Sequence, residues 1–95
     1  MLLGKVIGTV WSTRKDENLV GSKFLIIRQL NTDYTPKNST IIAIDSVGAG
    51  VGEIVLVAQG SSARQTSITN NKPIDAVVMA IVDKLDVPTT EQDNK

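Results

Sequence analysis

The apolar residues of this chain come in unbroken β-branched runs where a sheet with one wet face would alternate. The clearest are Ile41-Ile42 and Ala76-Val77-Val78-Met79-Ala80-Ile81-Val82. An antiparallel strand with one solvated face shows apolar and polar residues in turn. These runs therefore put apolar side chains on both faces of a strand. One face is expected to pack a core and the other to meet a second subunit. Size adds to the expectation. A chain of 95 residues buries only about 60–65% of its unfolded surface and needs support. It has no Cys for a disulfide, so oligomerisation is the support that remains. A thick monomeric core, with alanines filling space, is the plainer reading; the short chain favours the oligomeric one.

β-branched side chains favour strands, and five runs follow in order. The first is Leu2 to Thr13, with Gly4 and Gly8 inside it, where glycine marks a bend, a bulge or close backbone approach. A charged turn, Arg14 to Asn18, leads to the second, Leu19 to Leu30. Asn31 to Ser39 reads as a loop of turn-formers. The third run is Thr40 to Val47 and the fourth Glu53 to Ala58, joined by Gly48-Ala49-Gly50-Val51-Gly52. Gly60 to Thr66 has serine caps for one or two helical turns. The fifth run is Ile74 to Leu85, and the polar tail from Pro88 to Lys95 is expected to be disordered. The pattern predicts an all-β fold: a small five-stranded OB-like β-barrel over residues 1–87, with one short helix between strands four and five.

Composition removes much of catalysis. Without His or Cys there is no imidazole acid–base near neutral pH, no thiol nucleophile and no common zinc set. Ten Lys and Arg balance ten Asp and Glu, which argues against a dedicated nucleic-acid binder. No apolar run nears the roughly 20 residues of a membrane helix. Lys5 interrupts the N-terminal apolar stretch, so a signal peptide is not expected and the cytoplasm is the default.

The remaining motifs read as structure. The glycine-rich link lacks the GxGxxG spacing and precedes a strand, so it offers no helix N-terminus to a phosphate. Glycines at positive φ in a tight link explain it. Asp45, Glu53, Asp75, Asp83 and Asp86 show no spacing that selects a catalytic pair, and strand-end Asp is commonly a turn residue. Arg64 is a lone cation that suits an Asp across a subunit boundary. Trp11 and Phe24 lack a basic stripe for base stacking and are expected in the core. Gly60-Ser61 also fits a self-cleaving, pyruvoyl-forming β-barrel decarboxylase, with helix capping by Ser61 or Ser62 the favoured reading.

Three segments together carry a resemblance. Asp45-Ser46-Val47-Gly48-Ala49-Gly50-Val51-Gly52-Glu53, Gly60-Ser61-Ser62-Ala63-Arg64 and Pro73-Ile74-Asp75-Ala76-Val77-Val78 resemble the bacterial microcompartment vertex protein (EutN/CcmL) family. Gly8-Thr9-Val10, Leu19 to Leu25 and Ile81-Val82-Asp83 fit the same family. The resemblance implies an OB-like barrel with a short helix. It also implies a homopentamer at the fivefold vertices of a polyhedral shell, beside hexameric shell proteins, in the bacterial cytoplasm. The shells enclose the enzymes of carboxysomes or metabolosomes. The subunit would be no enzyme, with no cofactor, metal, small-molecule substrate, nucleic acid or membrane partner. Gly48, Ala49 and Gly50, with Ser61, Ser62 and Arg64, are the expected subunit contacts. The alternatives are an OB-type nucleic-acid or oligosaccharide binding module and, behind it, the pyruvoyl enzyme.

Overall fold

The protein is described by a computed structural model covering residues 1–11, 23–60 and 75–86. Five strands are described: β1 (Leu2–Val10), β2 (Phe24–Leu30), β3 (Pro36–Asp45), β4 (Ile54–Gln59) and β5 (Ala76–Ile81). They form a closed barrel in the order β1-β2-β3-β5-β4. Every pairing is antiparallel except β3 with β5, which run parallel through Ile44↔Val77 and Asp45↔Val78. Closure removes the open sheet edges that a five-stranded sheet would otherwise expose. The expected charged turn, the short helix and the tail lie outside the described residues.

The barrel is small, and glycine lets it close. A Cβ at Gly4 would stand 2.2 Å from Ile27 Cγ2 and 3.0 Å from the Arg28 carbonyl oxygen. No other residue fits there without moving β2. The β1–β2 register shifts between Val6 and Gly8, leaving Ile7 as an extra residue on β1. A second shift skips Met79 on β5. Such bulges bend a strand and increase its twist.

Inside the barrel, Val6, Leu25, Ile27, Val55, Val57 and Val78 are fully buried, with Leu2, Ala43, Ala49 and Ala76 beside them. Each large side chain among them contributes about 1.5–3 kcal/mol on leaving water. A second cluster, Ile44, Ala58 and Val77 with Phe24 against it, has the opposite strand parity. Ala76 and Val78 belong to the first cluster while Val77 belongs to the second. The wall is thus apolar on both sides, as the unbroken runs predicted.

Two expectations need correction. The loop is Asn31 to Thr35, and β3 already begins at Pro36. Residues Pro36 to Thr40 are polar or turn-forming and exposed, but Arg28↔Thr40 and Leu30↔Pro36 pair them with β2. Tertiary pairing overrides local propensity here, and Pro sits at the strand's first position, where its missing N–H does least harm. Trp11 is no core residue: it is 92% exposed at the end of β1. Phe24 does pack against the second cluster.

Candidate functional site

The glycine-rich link is held by its own chain. The Asp45 carboxylate (Oδ1) accepts the backbone N–H groups of Val47, Gly48 and Ala49 at 3.0, 3.1 and 3.3 Å. Gly50 N–H donates to Glu53 Oε1 at 2.7 Å. Gly48 (φ 78°) and Gly52 (φ 96°) occupy the left-handed region that favours glycine. At the far end, Gly52 N–H donates to the Val6 carbonyl and Val6 N–H to the Glu53 carbonyl, at 2.8 and 2.9 Å. These two bonds extend the β1–β4 ladder past Lys5↔Ile54. Lys23 Nζ donates to the Ala49 carbonyl at 3.2 Å, and the Ser46 hydroxyl donates to the Val78 carbonyl.

The expected contact residues separate in this frame. Ala49 is fully buried in its own subunit's core, where its methyl anchors the link. Gly48 is exposed and Gly50 half-buried. Ser61, Ser62 and Arg64 lie outside the described residues. The points from which their segment departs and returns are described: Gly60 N–H donates to the Asp75 carbonyl at 2.8 Å. Gly60 itself has φ 66°.

Ile42 and Met79 lie in the runs expected to turn one face to a neighbour, while Ile7 and Val51 lie outside them. Ile7, Ile42, Val51 and Met79 are exposed. Ile42, 52% exposed, pairs with half-buried Ile26 on the outer wall. Lys5 and Arg28 face each other across β1 and β2. The available signals were simple. One of two adjacent strand residues, Ile41-Ile42, must face outward, and Lys5 is the one charge in the Leu2–Val10 strand. Among the described residues no group of three or more His, Cys, Asp or Glu could hold a metal ion, and no helix is long and apolar enough to cross a membrane.

An opposite end of the molecule has its own built turn. Asn31 N–H donates to the Thr35 carbonyl and Tyr34 N–H to the Asn31 carbonyl, both at 2.9 Å. Asp33 Oδ1 accepts the Thr35 N–H at 3.0 Å. Tyr34 adopts φ 71°, and its hydroxyl accepts the Leu85 N–H at 3.0 Å. These hydrogen bonds hold the turn in one shape. The described surface offers contact patches.

Comparison with known proteins agrees in kind. Residues 1–83 match the family described as ethanolamine utilisation protein EutN/carboxysome. The chain is 51% identical over 86 residues to the bacterial microcompartment shell vertex protein GrpN of Rhodospirillum rubrum, covering 90% of this chain and 97% of the relative. It is 44% identical over 95 residues to the carboxysome shell vertex protein CcmL of a Synechocystis strain, covering 100% and 95%. Among solved structures, the GrpN pentameric microcompartment shell protein from Rhodospirillum rubrum superposes with a TM-score of 0.85 at 50% identity, covering 93% of this chain and all of that one. Gloeobacter violaceus CcmL superposes at 0.86 with 41% identity, covering 92% and 90%.

Proposed function

This chain belongs to the EutN/CcmL family, and on that premise we propose that it is a structural shell subunit of a bacterial microcompartment. Five copies form a ring that caps the fivefold vertices of the polyhedral shell, inside the bacterial cytoplasm. The ring packs beside hexameric shell proteins and has no catalytic task. The observation that carries this is the end-to-end likeness to a pentameric shell protein at half-identical sequence. The barrel supports it physically. A closed ring needs two unlike patches that meet head to tail, and the outer wall offers exposed apolar residues on several strands.

Gly48 and Gly50 suit close approach of a neighbouring copy, because neither carries a side chain to hold it away. Ala49 serves the contact by fixing the link from inside. Ser61, Ser62 and Arg64, in the segment between Gly60 and Asp75, supply polar contacts to the next subunit. Native mass spectrometry tests the reading. Five 10.2 kDa chains give a ring of about 51 kDa, and a monomer at micromolar concentration overturns it. Arg64→Ala is expected to weaken the ring; an unchanged assembly removes Arg64 from the contact. Co-assembly with hexameric shell proteins tests the vertex placement.

A further inference from the structure

Two features of the outer wall stand out among the described residues. Lys5 on β1 stands directly opposite Arg28 on β2. Their neighbours Val6 and Ile27 point into the barrel and are fully buried, so alternation turns both cations outward. Opposed like charges repel across a sheet. Among the described residues, no ion pair joins Lys5 or Arg28 to a carboxylate.

The second feature is an open depression of about 370 Å³ where β3, β4 and β5 meet, lined by Ile41, Ile42, Gln59, Gly60, Asp75 and Ala76. Asp75 is exposed and is the one charged residue among the described residues of that lining. Exposed Ile42 forms an apolar flank beside it. Lys and Arg stems pack on such a flank while their charged heads meet a carboxylate. The cation pair lies on β1–β2 and the depression on β3–β5–β4, so they are different walls of one closed barrel. One wall carries Lys5 and Arg28 and the other Asp75, with the cross-strand pair Ile26 and Ile42 as an apolar seam between them. Unlike patches on different walls are what a heterologous contact requires.

We propose that the Asp75 carboxylate of one copy docks between Lys5 and Arg28 of the next copy. The carboxylate relieves the repulsion between the two cations, and their stems lie against exposed Ile42. The contact rests on the ring assembly proposed above and names a charge pairing that holds its subunits in register.

The test is a set of charge exchanges in the full chain, followed by light scattering and native mass spectrometry across a dilution series in about 0.1 M salt, where screening acts over roughly 10 Å. Asp75→Lys is expected to move ring dissociation to about tenfold higher protein concentration or more. Lys5→Glu with Arg28→Glu does the same, and all three changes together restore the ring. Circular dichroism checks that each variant is folded. Where a reversal unfolds the chain, Asp75→Asn and Lys5→Gln replace it, with a loss of about threefold expected. The proposal is overturned by a folded Asp75→Lys or double variant that dissociates as the wild type does. It is equally overturned by a folded triple variant that fails to reassemble, or by neutral variants without loss. A wild-type chain that stays monomeric sinks the ring itself. A ring indifferent to every charge change sinks this contact alone.

Discussion

The two faces of the barrel wall are made from the same kinds of residue and end in different states. Inward, Val6, Leu25, Ile27, Val55, Val57 and Val78 are sealed from water by the chain that carries them. Outward, Ile44, Ala58 and Val77 are sealed too, but Ile7, Ile42 and Met79 are exposed, and Lys5 and Arg28 face each other with no ion pair to an acid among the described residues. The inner face is complete in one copy, and the outer face is complete only in parts. Inner changes should therefore act on the subunit and outer changes on assembly.

That contrast can be broken, beginning with its strongest consequence. Leu25→Ala opens a cavity at a fully buried site and should cost about 2–5 kcal/mol of chain stability. Chemical denaturation at fixed protein concentration, needed because assembly shifts apparent stability, measures it. A loss below about 1 kcal/mol would show that the inner face repacks freely. Gly4→Ala comes next. Its Cβ meets Ile27 Cγ2 at 2.2 Å, and overpacking of this kind costs about 1–3 kcal/mol. The same denaturation series reads it, and a neutral result would mean that β1 and β2 are not held this close.

Asp45→Ala removes the acceptor of three backbone N–H groups and should cost about 1–2 kcal/mol. Hydrogen exchange should rise at Val47, Gly48 and Ala49 before the rest of the barrel. Exchange that rises uniformly would contradict a local role. Smallest in its effect on the chain is Ile42→Thr, a β-branched replacement on the exposed outer wall. It should change subunit stability by no more than about 0.5 kcal/mol while weakening the ring in native mass spectrometry. A large stability loss with an intact ring would reverse the assignment of the two faces.

Much of the fold was legible in sequence because it depends on near neighbours. The positive φ of Gly48 and Gly52 follows from a glycine-rich link between two apolar runs, and Asp45 serves it as a strand-end Asp commonly does. The close approach at Gly4 was one of three meanings a strand glycine can carry, and the structure selects it. The contact patches were less legible. Asp75 and Ile42 are far apart in sequence and meet only because β5 returns parallel to β3. Lys5 and Arg28 become opposed only through the β1–β2 register, which one bulge at Ile7 sets.

The boundary between local and global causes falls at β3 and at Trp11. Residue type alone makes the strands: β-branched runs favour extended backbone, and turn-formers interrupt them. Family membership was also readable from the chain, since it rests on motifs in order. Where β3 starts, whether Trp11 is covered, and which side of each run faces inward depend on pairing between distant segments. Arg28↔Thr40 and Leu30↔Pro36 recruit exposed polar residues into a strand, and Trp11, just past β1, is left exposed to solvent. A strand's period of two offers two faces without labelling them. Closure of the barrel labels them, by burying one face and leaving part of the other for a neighbour.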